Sequence, residues 1–157
     1  MTSTTDKPGV IAPPPLIFAA AIALGLALHY WVIPIEFGLE AGVRYGIGGV
    51  LIAVALNIGL GAIRLFGKAG THVEPWKPAK ALVTSGIYNY TRNPMYLGMA
   101  LIHVGLALIF DSVTVLLLLV PFLVVLRYGV IGREERYLKA KFPVEYPEYC
   151  QRVRRWF

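Results

Sequence analysis

The sequence predicts an all-α integral membrane protein of about four transmembrane helices, closing with a helical hairpin and a cytoplasmic or interfacial helical tail. Three observations carry that expectation. Long stretches of chain hold no charged residue. The composition is 57% hydrophobic and 15% charged, where soluble domains carry about a quarter of their residues charged. Thirteen of the fifteen Lys and Arg lie between Arg64 and Arg92 or between Arg127 and Arg155. Because these basic segments alternate with membrane-grade runs, the positive-inside rule explains the net charge of +6 better than nucleic-acid binding does. The same clusters suit anionic lipid headgroups.

Met1 to Gly9 is a polar leader with one Asp and one Lys. It lacks the basic start and cleavage site of a secretory signal, so the first apolar stretch is expected to remain in the mature protein. That stretch, residues 16–33, has 18 uncharged residues behind Pro13-Pro14-Pro15. It can cross a hydrocarbon core of about 30 Å at about 1.5 Å per residue. Pro34, Glu36 and Glu40 form an exit loop, and a second span follows over residues 45–63. Its Gly42, Gly46, Gly49, Gly59 and Gly61 suit close helix approach in lipid.

A polar connection, Gly67 to Asn93, carries Pro75, Trp76, Pro78 and four basic residues. From Pro94 to Leu126 there is one charge, Asp111, in 33 residues. One helix of that length would run about 50 Å, too long for the core. The stretch is therefore divided at Asp111-Ser112 into spans 95–110 and 112–126, with Pro121 kinking the second. In the tail, residues 127–157, Gly132 to Lys141 reads as a helix leaving the membrane. Tyr146, Tyr149, Val153 and Trp156 recur at helical spacing among arginines, the pattern of a helix lying in the headgroup layer. The chain is expected to be a single membrane domain. The charge bias expects both termini cytoplasmic, in a bacterial inner membrane. Cys150 is the only cysteine, so no internal disulfide can form, and metal-site spacings are absent.

Two segments carry chemistry. Gly86-Ile-Tyr-Asn-Tyr-Thr-Arg-Asn-Pro-Met-Tyr-Leu-Gly98 sets a polar, aromatic loop ahead of a span, with Pro94 at the helix start. Such a start offers unpaired backbone donors and a positive dipole end. Arg133-Glu134-Glu135-Arg136-Tyr137-Leu138 follows the last span. The four-span topology brings both to one membrane face. Singly, each has a plainer explanation: Tyr88, Tyr90 and Tyr96 as an interfacial aromatic belt, Arg92 as a snorkelling side chain, Glu135 and Lys139 as a solvated helical pair.

Together, an Arg-Asn-Pro-x-Tyr-x-Gly run, a hydrophobic hairpin and a Glu-Glu pair resemble the isoprenylcysteine carboxyl methyltransferase and phospholipid methyltransferase family of membrane enzymes. That resemblance covers roughly residues 80 to 157, including the ending Glu145-Tyr146-x-x-Tyr149-x-x-Arg152-Val153-x-Arg155. It implies S-adenosylmethionine as methyl donor. Position by position it places Tyr90, Arg92, Asn93, Pro94, Tyr96, Leu97 and Gly98 at the cofactor, with Glu134 and Glu135 opposite. The chemistry agrees: a carboxylate can accept from the cofactor's ammonium, and Arg92 or the helix start can receive its carboxylate. The family's His is Asn93 here, which hydrogen-bonds but takes up no proton near neutral pH. Asn93 is therefore expected to bind rather than to act as a base.

Of the remaining polar residues, Arg127 is a candidate for orienting an acidic substrate group, or else a stop-transfer anchor. His103 shares a helix face with Tyr96 and either faces the pocket or packs. Asn57 and His29 suit interhelical hydrogen bonds. The expected activity is methyl transfer to a lipophilic acceptor that enters from the membrane: a prenylated thiol compound, an aminophospholipid or another small amphiphile. Glu134 is the candidate proton acceptor where the nucleophile needs one. The Arg-Asn-Pro-x-Tyr-Leu-Gly run and the Tyr149-Cys150 ending are also similar to sterol reductases, which use NADPH. The third reading is a noncatalytic membrane scaffold.

Overall fold

The computed structural model describes residues 6–156. Helix α1, Pro14–Trp31, opens with proline in its first turn, where the missing N–H costs no intrahelical bond. Helix α2, Ala41–Lys68, has 28 residues and is about 42 Å long, so it outreaches the hydrocarbon core. Helix α3, Pro94–Ile109, begins at the expected proline. The chain then reverses at Asp111, whose φ of 52° is a left-handed value that Asp tolerates in turns. Ser112 caps the return by accepting from the Val115 N–H at 3.0 Å. Helices α4, Val113–Leu117, and α5, Leu119–Leu126, are halves of one rod. They part at Leu118, three residues ahead of Pro121, next to the carbonyl of residue 117 that the proline ring would meet.

A single π-turn, Arg127–Ile131, joins α5 to the charged helix α6, Gly132–Lys141. The spanning part of this rod ends at Leu126; six of the ten residues in α6 are charged. Helix α7, Glu145–Arg152, closes the fold.

Large apolar side chains on α1, α2 and α5 face outward: Leu16, Leu24, Val50, Leu60, Val120 and Val124 each expose half or more of their surface. An unbroken apolar exterior on this scale is a lipid-facing surface. Exposed Tyr30, Trp31 and Tyr45 mark one end of the bundle, and Tyr90, Trp76 and Tyr128 the other. Those are the two aromatic belts of a membrane protein.

Helices α2 and α3 form the most extensive pairing, and it is closest at two glycines. A Cβ on Gly48 would lie 2.8 Å from the Gly105 carbonyl oxygen, and one on Gly105 would lie 2.9 Å from that of Gly48. The expectation for α2 is corrected here. Gly42, Gly46, Gly49, Gly59 and Gly61 have open space beside them, while Gly48 and Ala55 make the interface with α3 and Ala62 packs under the tail. Composition reports that small residues are present; only the helix phase says which ones meet a neighbour.

At the end away from the tail, the hairpin tip is tied to the exit loop. Asp111 accepts from the Phe37 N–H at 3.1 Å and lies 3.4 Å from Arg44. Thr114 donates to the Ile33 carbonyl at 2.7 Å. The tail also departs from expectation. Tyr146, Tyr149 and Val153 are buried against Val83, Tyr88 and Ala62 rather than turned to lipid. Their spacing marks an apolar face, and a protein surface covers it.

Candidate active site

The tail end of the bundle holds an open cavity. Three chain segments shape it. The first is the approach to α3. Gly86, at φ 61°, starts a 3₁₀ turn over Gly86–Asn89, where a Cβ would lie 2.9 Å from Leu65. Tyr149 donates to the Tyr88 carbonyl at 2.7 Å and so pins that turn to α7. Thr91, Arg92 and Asn93 are then held by the end of the chain. The Arg92 N–H donates to the Arg154 carbonyl at 3.1 Å, while Thr91 Oγ1 and Asn93 Nδ2 donate to the Arg155 carbonyl at 3.1 and 3.0 Å.

The second segment is the first turn of α6, which presents the acidic pair. Tyr96 donates to Glu134 Oε2 at 2.8 Å. Glu135 receives Arg155 in a two-pronged contact at 2.9 and 2.6 Å and lies 3.4 Å from Arg92. Such forked guanidinium–carboxylate pairs fix orientation as well as charge. The Arg92 guanidinium also reaches Cys150 and the Tyr146 hydroxyl on α7. Its Nε is buried and lacks a hydrogen-bond partner among the described residues.

Burial pushes the Glu134 carboxyl up to about 7, with the neighbouring Glu135 charge adding to the effect and the Tyr96 hydroxyl opposing it. Burial likewise holds the Tyr88 and Tyr149 hydroxyls protonated far above neutrality. The third segment is the loop from His72 to Val83, which forms the outer wall.

The predicted residues divide. Arg92, Asn93, Pro94, Tyr96, Glu134 and Glu135 line this cavity together. Tyr90 is 74% exposed and belongs to the aromatic belt. Leu97 is half-buried and Gly98 is buried against α2, where a Cβ would lie 3.3 Å from the Ala55 carbonyl oxygen. His103 is fully buried in the bundle, 2.8 Å from the Val115 carbonyl and stacked on Phe122. Arg127 is exposed, with its guanidinium over the Tyr128 ring. Sequence reasoning did not single out the wall from His72 to Val83, nor Tyr137 of α6. Pro75 and Pro78 lie in what the sequence shows only as a polar connection, with no sign of what it covers.

A bundle of apolar helices with an aromatic-lined cavity of mixed charge at one end defines a multi-pass membrane protein with an enzyme-like site. Residues 43–145 match the phospholipid methyltransferase family, and the chain belongs to that family of membrane methyltransferases. The match takes in α2, which the motif resemblance alone left out. A stretch of 62 residues is 40% identical to an uncharacterized protein of Haemophilus influenzae, covering 40% of this chain and 98% of that protein. No solved structure matches.

Proposed function

We propose that this protein transfers a methyl group from S-adenosylmethionine to a lipophilic acceptor, with the cofactor held in the cavity between Arg92 and Glu134. The observation that carries the reading is the pairing of opposite ligand-binding groups in one apolar chamber. Glu134 keeps a carboxylate oxygen beyond the one taken by Tyr96, suited to an ammonium. Arg92 keeps a buried, unpaired Nε donor, suited to a carboxylate. Aromatic and aliphatic walls, including Phe66, Tyr88 and Leu138, suit a flat apolar ring system. These residues fit an amino-acid-bearing nucleoside cofactor.

When bound, S-adenosylmethionine supplies a methyl group on a sulfonium, which a nucleophile displaces in line. The chain's contribution is then mainly alignment. Glu135 holds Arg92 and Arg155 in register, and Asn93 anchors the end of the chain beside them. With a carboxyl near 7, Glu134 can also take a proton at Oε1 or Oε2 from an amine or hydroxyl acceptor. Arg127, on the lipid-facing side, is assigned the orientation of an acidic acceptor group at headgroup level. The cavity end is assigned to the cytoplasm, since Arg44 alone of the fifteen Lys and Arg sits at the other end.

Calorimetric titration of the purified protein with S-adenosylmethionine, S-adenosylhomocysteine and NADPH tests the assignment. Binding of the first two without the third is expected. Binding of NADPH alone would move the protein to the reductases, and binding of none would leave a scaffold.

A further inference from the structure

We infer that residues 6–13 are a hinged strap that covers the mouth of the cavity, latched by Asp6 onto Tyr137 and Lys141 of α6. The strap has three working parts. Its root is Ile11, whose N–H donates to the Gly129 carbonyl at 3.1 Å and whose side chain fills the space above that glycine. A Cβ on Gly129 would run into the Ile11 side chain and turn it aside, so the present seat of the root depends on glycine at 129.

The hinge is Gly9. Its φ of 66° lies in the left-handed region, it has open space around it, and its carbonyl accepts from Arg133 Nη1 at 2.7 Å. Glycine crosses between backbone basins at little steric cost. Beyond the hinge, Pro8 lies in the cavity wall itself. The latch is Asp6: its carboxylate accepts from the Tyr137 hydroxyl at 2.8 Å and from Lys141 Nζ at 2.7 Å.

Tyr137 links this strap to the other cover. Its hydroxyl accepts from the Ala79 N–H at 3.0 Å, so one phenol holds both the strap and the loop from His72 to Val83 over the same chamber. The root holds by a backbone bond and by packing on Gly129, with the Ile11 side chain still 52% exposed, and the latch holds by an ion pair in which Asp6 is 59% accessible. An exposed ion pair is weak and screened by salt. The segment is therefore released more easily at Asp6, where salt screens the contact, than at Ile11, where a main-chain bond and side-chain packing hold it. Through it, entry to the chamber depends on a part of the chain outside the family match at residues 43–145.

The test uses the full-length protein with Cys150 replaced by Ser and Leu138, in the cavity wall, replaced by Cys. The rate of labelling by a water-soluble maleimide reports access without any ligand. Asp6→Asn is expected to raise that rate two- to tenfold. Raising the salt concentration should accelerate the parent protein and leave Asp6→Asn unchanged. Gly129→Ala, which displaces the root, should accelerate labelling further. Exchanging the charges, Asp6→Lys with Lys141→Asp, should restore slow labelling.

Equal rates in the parent protein, Asp6→Asn and Gly129→Ala would overturn the strap. A second readout, the dissociation rate of S-adenosylhomocysteine, rests on the proposed function and should rise in step. Faster labelling with no S-adenosylhomocysteine bound to any form would keep the strap and reject the cofactor.

Discussion

The Tyr96 hydroxyl and the Glu134 carboxylate meet at 2.8 Å across the gap between α3 and α6. One partner comes from the run before the hairpin and the other from the acidic pair after it, so this bond closes the chamber around a chain separation of 38 residues. Burial raises the Glu134 carboxyl to about 7, and the Tyr96 bond opposes that rise.

Cofactor affinity should therefore depend on pH through Glu134. Its carboxylate form, which accepts an ammonium, fills in as pH rises through about 7. An α-amino group loses its proton near 7.7–8.0, roughly, so binding of S-adenosylmethionine should peak between those values. Calorimetry from pH 5.5 to 9 is expected to show a bell in the parent protein. In Glu134→Gln the acid limb should be missing and affinity about tenfold or more weaker. An unchanged acid limb in that variant would remove Glu134 from the cofactor.

Stability should move the opposite way. A carboxyl whose folded value is raised from 4.5 to about 7 binds more protons folded than unfolded. Its contribution is most favourable below about 4.5 and is lost as pH climbs towards 7. Glu134→Gln should thus melt higher than the parent at pH 8 and close to it at pH 5, measured by thermal scanning in one detergent.

Glu135 is expected to matter for architecture. It receives Arg155 through two oxygens and Arg92 through one, and its loss leaves both guanidiniums without that carboxylate. Glu135→Ala should cost about 3 kcal/mol, the scale for breaking a sheltered ion pair. It should also free the end of the chain to limited proteolysis. A melting point within a degree of the parent would count against this.

At Asn93 the contact that matters is the amide N–H to the Arg155 carbonyl at 3.0 Å. A histidine ring N–H can make the same bond, so Asn93→His should retain most methyl transfer. Asn93→Ala should lose about 1 kcal/mol of stability. Activity lost in Asn93→His with cofactor binding intact would show that the position does more than hold the chain.

The glycines of α2 give a paired control. Gly48→Ala must displace the Gly105 carbonyl or Ile109 and should cost about 1–3 kcal/mol. Gly49→Ala meets open space and should be neutral or mildly stabilising through helix propensity. Equal melting points for the two would contradict the close approach of α2 and α3.

Much of the architecture was legible because a bilayer constrains sequence severely. Runs without charge gave the spans, Asp111 gave the reversal, and Pro121 gave the break in the returning rod. Helix phase was less legible. The glycines in contact, and the partner of the Tyr146 and Tyr149 face, depend on rotations about helix axes that no single-helix pattern encodes. That Arg92, Asn93, Pro94, Tyr96 and the acidic pair gather at one cavity could be expected, because their spacing is a motif. The strap and the loop from His72 to Val83 could not. They reach the chamber through backbone groups and a shared phenol, and such contacts leave little trace in residue identity.

The hairpin formed by α3 and α4–α5 has a further implication. Its first limb, of 16 residues, rises about 24 Å, several ångströms less than a typical hydrocarbon thickness. Asp111 at its tip is paired with Arg44 in the first turn of α2, which is long enough to bring both to headgroup level. The limb's other end, at Pro94, therefore lies below the near headgroups. Since Pro94 also lines the chamber, the chamber floor is sunk to the depth of the acyl chains.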